Sequence, residues 1–448
     1  MEDFLMTLAK SVARRWPVWV VAALWAGGCH TPPPCDTESV AQAVQTRFGP
    51  ADIPPTSEAP FIPGPLAAGN TLDEDQAVVL ALWNNALFRE LLVEVDLTRA
   101  DLVLAGLLPN PEFLYYWSEP AKPFRYLFDF PLESIWLRPI RLKSAAAENE
   151  RACGKLTQLA LDLIRDTRLA FADLQLARDR VKVGERAVAV RNRILSLAEV
   201  RLKNGDASPL EVSTAKIDAL LAGQDLVRLR YEVTVMEERL RNFMGLSKTT
   251  FPLVPDNSRA EPLTELAVEQ LVQEAIQTRP DALAAERASA AARARVQFSK
   301  LGWFRFLGIG DATTGTITDH AFGPALRFTV PIFNRNQGGI ARAEAELEQL
   351  TRRQLSVHNQ IVLDVRQNFA RCQQAHAELD FLLKKTRPEV ETAIHRAEIA
   401  YKEGNVTYLI VLEMNRMLID TYAREAALYA DLRKAWAEVE RGVGRKLR

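Results

Sequence analysis

The side chains best suited to chemistry are few and scattered: this chain of 448 residues holds four cysteines and five histidines. His358, His376 and His395 share no metal-ligand spacing, and His320 reads as a solvated loop or strand residue rather than a ligand. Cys153 and Cys372 fall in strongly helical stretches and read as small core residues. Cys35 lies in a proline-rich stretch, and no spacing suggests a disulfide framework or a zinc site. G-x-S-x-G, H-E-x-x-H and C-x-x-C are all missing, and Gly308-Ile309-Gly310 has no following helix to cradle a phosphate. The expectation is a protein with no catalytic residues, no bound metal and no cofactor, hence not an enzyme. A net charge of -1 gives no basic surplus for binding nucleic acid.

The opening residues read as a targeting signal. Lys10, Arg14 and Arg15 precede the apolar run "WPVWVVAALWAGG", too short to span a bilayer as a helix and suited to a secretory signal. It ends in Ala26-Gly27-Gly28-Cys29, which resembles a bacterial lipoprotein signal whose Cys29 is lipidated and becomes the mature N-terminus. The resemblance departs at Ala26, where such signals usually carry Leu. Ordinary signal-peptidase cleavage beside an incidental cysteine is the alternative. The signal peptide is assigned to 1–28 and a Pro-, Thr- and acid-rich tether without a core to 29–70. No other stretch is apolar for long enough to be a transmembrane helix, so any membrane span has to be built from strands.

Beyond residue 70 the chain is written twice. Gly106 and Gly302 are landmarks 196 residues apart, Pro131 and Pro331 200 apart, and Gly205 and Gly404 199 apart. The halves are 71–250 and 263–448, with a linker at 251–262. Each half opens with one or two helices, at 71–107 and 263–300. Each then changes period into a β-hairpin, about 112–132 and 303–333, with strands near the 9–11 residues that a tilted membrane strand needs. A long helix follows in each, 140–203 and 338–403, rich in Ala, Leu, Glu and Arg. Leu156, Leu159, Leu163, Leu169, Phe171 and Leu174 recur at three- and four-residue spacings typical of packing against other helices.

Two stretches with the same punctuation end those helices: "RLKNGDASPLEV" around Gly205 and "AYKEGNVTYLIV" around Gly404. Each glycine suits the left-handed position that closes a helix. Ser208 can then cap a new helix with Pro209 at its first position and Glu211 completing a capping box, and Thr407 is the matching cap in the second half. Each long helix therefore reverses through a tight, exposed tip into a shorter one, giving helical hairpins over 140–246 and 338–445.

This order of elements, over nearly all of 71–448, resembles the outer membrane efflux protein family, the TolC-like channel-tunnels. The residues that carry the resemblance are Pro131, Pro331, the paired glycine tips and "PIFNRNQGGIARAEAE" from Pro331. The last segment is most similar to the heavy-metal cation efflux branch, whereas the first copy, "PLESIWLRPIRLKSAAAE", lacks its Asn-Gln-Gly-Gly run. The fold implied is mainly α with a small β part. Three chains share one twelve-stranded outer-membrane β-barrel, continued by a periplasmic α-helical barrel. The resemblance also implies a homotrimer in the outer membrane of a Gram-negative-type bacterium, in contact with its lipid. Its partners would be a periplasmic adaptor (membrane fusion) protein and an inner-membrane pump.

On the same resemblance, the adaptor docks on the tips, at Asn204, Gly205, Asp206 and Ser208 and at Glu403, Gly404, Asn405 and Thr407. Counting from the glycines places the family's gate at Glu211, Tyr401 and Glu413, the last as an inner acidic ring. Val406 stands where a basic residue is usual, and Ile410 where an outer ring acid is usual. The function implied is a passive exit duct for metal cations or small toxic compounds. A type I protein-secretion outlet and a periplasmic structural coiled-coil lipoprotein are the alternatives.

Overall fold

The computed structural model describes residues 35–48, 71–108, 110, 112–116, 125–129, 133–248, 253, 256, 267–300, 307–315, 320–328 and 332–447. The segment expected to be a signal peptide at 1–28, the expected lipidation residue Cys29, Gly302, Pro131 and Pro331 lie outside the described residues. What is described is mostly helical. α1 is Thr37–Phe48, α2 Glu74–Asn84 and α3 Ala86–Gly106. β1 (Glu112–Tyr116) and β2 (Arg125–Asp129) lead into α4 (Glu133–Lys203) and α5 (Pro209–Phe243). The second half repeats the order with α6 (Val268–Thr278), α7 (Pro280–Lys300), β3 (Leu307–Gly315), β4 (His320–Phe328) and α8 (Gln337–Phe381). A π-helical turn (Leu382–Thr386), α9 (Arg387–Lys402) and α10 (Tyr408–Val443) follow.

The opening helices of the two halves match in length: α2 and α6 each have 11 residues, α3 and α7 each 21. The breaks between them fall at Asn85 and Arg279. Asn85 Oδ1 accepts the Phe88 amide at 3.1 Å, starting α3, while its Nδ2 donates to the Phe243 carbonyl at 3.0 Å, closing α5. Arg279 is buried, donating to Asp281 and, at 3.2 Å, to the Gly442 carbonyl.

Two compact units are distinguishable. One comprises Val93–Cys153 and Glu286–Arg352 with the chain start as far as Thr37. It contains two antiparallel two-stranded sheets, β1 with β2 and β3 with β4, and β2 runs beside β3. Registers run from Glu112 opposite Asp129 to Tyr116 opposite Arg125, and from Leu307 opposite Phe328 to Gly315 opposite His320. β3 and β4 have nine residues each, and five residues are described in each of β1 and β2. Gly308 and Gly310 lie within β3, with strand β4 and no helix after them.

The same unit overturns the reading of two cysteines. Cys35 and Cys153 form a disulfide across 118 residues of chain. Their spacing gave no hint of it, because the partners come from the chain start and from a helix far downstream. Cys372 takes part in no disulfide and is buried in a helical core.

The second unit comprises Glu38–Leu92, Gly154–Ala285 and Arg353–Arg448. The segment expected to be a coreless tether carries α1, whose Val40 and Val44 are fully buried. Polar and apolar residues alternate there at helical spacing once the prolines end. Arg47 anchors the helix by donating to the Thr278 carbonyl at 2.8 Å. Each half has its own apolar core. One gathers Leu80, Phe171, Leu174 and Leu240, and the other Leu271, Ile361, Phe369 and Leu432.

Ion pairs join the two halves of the chain within this unit. Arg168, only 7 % exposed, pairs with the buried Glu440 and with Asp75 at 3.2 Å. Arg441 donates to Asp162 at 2.8 Å and to Asp364 at 3.3 Å, and Arg279 shares Asp364. Buried charges that would be costly alone are thereby matched.

The second long helix, expected over 338–403, runs from Gln337 to Lys402 with a π-helical turn inside it. Pro388 has no N–H to give, and its ring crowds the carbonyl four residues back. The π-helical turn just before it takes up one extra residue and relieves that clash. α4 has Ala189 at the corresponding place and runs unbroken for 71 residues.

The disulfide closes a long loop, worth about 4–5 kcal/mol in the chain-entropy account. In denatured, unreduced protein Cys153 is expected to resist maleimide until dithiothreitol is added. Labelling without reductant would disprove the bond.

Candidate gate and helix tips

Both helical hairpins reverse by the same backbone device. In the first tip the Gly205 amide donates to the Leu202 carbonyl and the Asp206 amide to the Arg201 carbonyl. In the second, Gly404 donates to Tyr401 and Asn405 to Ala400. These paired bonds satisfy carbonyls that the ending helix leaves open, and they require a left-handed residue. Gly205 has φ +82° and Gly404 φ +77°, with open space where a Cβ would sit, so glycine is needed there for its backbone and not for room.

The restart differs between the tips. Ser208 Oγ accepts the Glu211 amide at 3.1 Å, with Pro209 at the first helical position. Thr407 occupies the matching place with extended backbone, but its side chain makes no capping bond. Asn204, Gly205, Asp206, Ser208, Glu403, Gly404, Asn405 and Thr407 are all exposed. Asn405 donates to the Glu403 carboxylate at 3.0 Å.

Glu211 does not complete the expected capping box. Its carboxylate instead accepts the Tyr401 hydroxyl at 2.6 Å, linking α5 to the end of α9. Arg201, on the last turn of α4, completes the group. Its guanidinium lies over the Tyr401 ring at 4.5 Å, approaches Glu211 to 3.6 Å and donates to the Asp206 carbonyl at 3.0 Å. A second pair repeats the pattern: the Tyr408 hydroxyl donates to Asp218 at 2.9 Å. The rings of Tyr401 and Tyr408 are 6.5 Å apart and tilted, packed with Ile194, Ala198, Ala215 and Val411. Tyr401 is fully buried and Tyr408 nearly so.

Glu413 stands apart from this cluster. It is exposed on α10 and has no ion-pair partner among the described residues. Val406 packs against the tip cluster and Ile410 is exposed. Arg201, Asp218 and Tyr408 escaped the sequence reading, which counted positions from the glycines one at a time. The available signal was a doubled spacing: Tyr401 and Tyr408 are seven residues apart, as are Glu211 and Asp218.

The model of the outer membrane efflux protein family matches residues 131–246 and 271–445, well over half of the chain. The chain belongs to that family. Its members are outer-membrane channels, not enzymes. The cobalt-zinc-cadmium resistance protein CzcC of Cupriavidus metallidurans is 24% identical over 411 residues, covering 87% of this chain and 94% of that protein. The fold is similar to that of CusC, with a TM-score of 0.71 and 17% identity over 88% of this chain and 100% of that one. It is also similar to VceC of Vibrio cholerae, with a TM-score of 0.68 and 17% identity over 84% and 97%. Family and fold thus agree with the resemblance that the helix tips carried.

Burial raises the Tyr401 hydroxyl above its ordinary value, helped by the Glu211 acceptor and opposed by Arg201. Burial, then Asp218, raises Tyr408. A tyrosine whose folded value exceeds its unfolded value of about 10 contributes stability that is complete below that pH. The contribution is lost as pH climbs through the folded value. Thermal melts between about pH 9 and pH 11 should therefore show a falling Tm, with a shallower fall in Tyr401→Phe and Tyr408→Phe. Equal slopes in all three proteins would remove the link between these phenols and stability.

Proposed function

We propose that this efflux protein is the outer-membrane exit duct of a tripartite system, conducting substrates passively from an inner-membrane pump and a periplasmic adaptor to the exterior. The observation that carries the reading is the pair of glycine-reversed tips, built alike in both halves and exposed at every position assigned to docking. Beside the glycines stand Leu210, 75 % exposed, and Leu409, 69 % exposed, at corresponding places. Large apolar side chains left in solvent at matching tip positions suit a protein partner better than water.

The wider arrangement follows from the same reading. Four strands per chain, from two hairpins, make a twelve-stranded barrel when three chains combine, which leaves no strand edge in lipid. The exposed apolar stripe of α5, with Ile217, Leu221, Tyr231 and Val235, supports burial against a sister chain. Cleavage after the signal peptide and a lipid on Cys29 would add a second hold on the membrane, weak beside the barrel. The duplicated units at 71–250 and 263–448 supply the two hairpins.

The gate in this reading is Glu211 with Tyr401, with Arg201 standing in for the basic residue absent at Val406. Glu413, exposed and unpaired by any described cation, forms an acidic ring when three copies surround one axis. Like charges so placed attract cations into the pore. The cargo favoured is metal cations, given the name of the CzcC relative, or small toxic compounds.

Proline cannot adopt the left-handed conformation of either tip glycine. Gly205→Pro or Gly404→Pro should abolish metal resistance in a complemented deletion strain, while a detergent-extracted trimer still forms. Full resistance in both variants would remove the docking role. Glu413→Ala should lower cation preference in planar-bilayer reversal potentials; an unchanged potential would reject the ring.

A further inference from the structure

The two tyrosine–carboxylate bonds are placed in a way that the gate reading does not require. Tyr401 closes α9 and Tyr408 opens α10, so they are the two feet of the second tip turn. Both acceptors, Glu211 and Asp218, lie on the one helix α5. Each bond spans the same 190 residues of chain. Seven residues along a helix is about 10 Å, so the two bonds are held about that far apart on α5. A single hydrogen bond lets the turn swing about it; two bonds at that separation fix its direction as well as its distance.

The environment of each bond is built similarly. Arg201 lies on the Tyr401 ring, and the charge of Arg191 acts on Tyr408 from the same helix, α4. Both rings are packed into one apolar cluster, so neither hydroxyl has a free choice of partner. Asp218 is partly covered, and Tyr408 is its hydrogen-bond donor.

We infer that Tyr408 and Asp218 form a second latch of the periplasmic gate, acting in series with Tyr401 and Glu211, so that the second hairpin swings away from α5 only when both are released. This rests on the gate reading given above. A bond from a neutral donor to a carboxylate is strong enough for its loss to favour the open state by roughly tenfold or more. The two latches grip opposite sides of one turn, so releasing one leaves the turn tethered at the other foot. Channel opening is then governed by the pair and not by the first bond alone.

The test uses the purified full-length trimer in planar lipid bilayers, with open probability and single-channel conductance as readouts and thermal unfolding as a control. Tyr408→Phe keeps the ring in its packing and removes only the donor. Tyr408→Phe and Asp218→Asn should each raise open probability roughly tenfold while the trimer remains folded, with a similar small fall in Tm in both. Their double variant should go no further than Tyr408→Phe, because Asp218→Asn acts only on the same bond, by making its acceptor neutral. Tyr401→Phe combined with Tyr408→Phe should exceed either single variant and give the largest conductance. If Tyr408→Phe and Asp218→Asn stay at the wild-type level while Tyr401→Phe opens the channel, the second latch is refuted and the gate stands. If Tyr401→Phe and Glu211→Gln are silent as well, the gate reading falls with it.

Discussion

A helix of this length that must turn back within four residues ends with carbonyls pointing at nothing. The turn itself satisfies two of them with its own amides, and the exposed tip leaves the others to water. Left-handed glycine is the backbone solution, and the chain uses it at Gly205 and again at Gly404 with the same pair of amide-to-carbonyl bonds. Nearly everything distinctive about the molecule depends on that constraint being met twice. The reversal keeps each tip short, which brings the last turn of one helix beside the first turn of the next. Arg201 then reaches Glu211 across the first tip, and Tyr401 and Tyr408 are held close across the second.

The ion pairs answer a different problem. Long helices with one apolar stripe slide past one another unless something fixes their register. Arg168 with Glu440, and Arg441 with Asp162, pin the first half of the chain to the last helix. A buried pair such as Arg168 with Glu440 adds little net stability, but any shift that separated it would strand a charge away from water. That penalty selects one alignment. The same alignment sets which residues face each other at the tips, since α4 and α10 carry both the pairs and the tip side chains.

How much of this could be read from sequence follows the range of the interactions. The helices, the hairpins and the glycine tips were legible because their signals are local: periodicity, helix formers, a glycine three residues before a cap. Glu211 and Tyr401 were found by counting from those glycines. Asp218 and Tyr408 were missed although they repeat the same spacing, because no single local motif marks them. Cys35 and Cys153 were unpaired on paper since 118 residues separate them. α1 was hidden by the prolines on either side of it. Thr407 had the sequence of a cap but not its bond. Pro388 was visible throughout, and its effect on a long helix was the one local signal left unused.

That proline has a reach beyond its own turn. One additional residue in a helix advances everything after it by about 100° around the axis. The π-helical turn at Leu382–Thr386 therefore sets the angular phase of α9 relative to α8, and Tyr401 lies downstream of it. Removing that single inserted residue would turn the Tyr401 hydroxyl away from Glu211 with the tip sequence untouched. The aim of the Tyr401 hydroxyl is thus set some fifteen residues upstream, by a small irregularity next to Pro388.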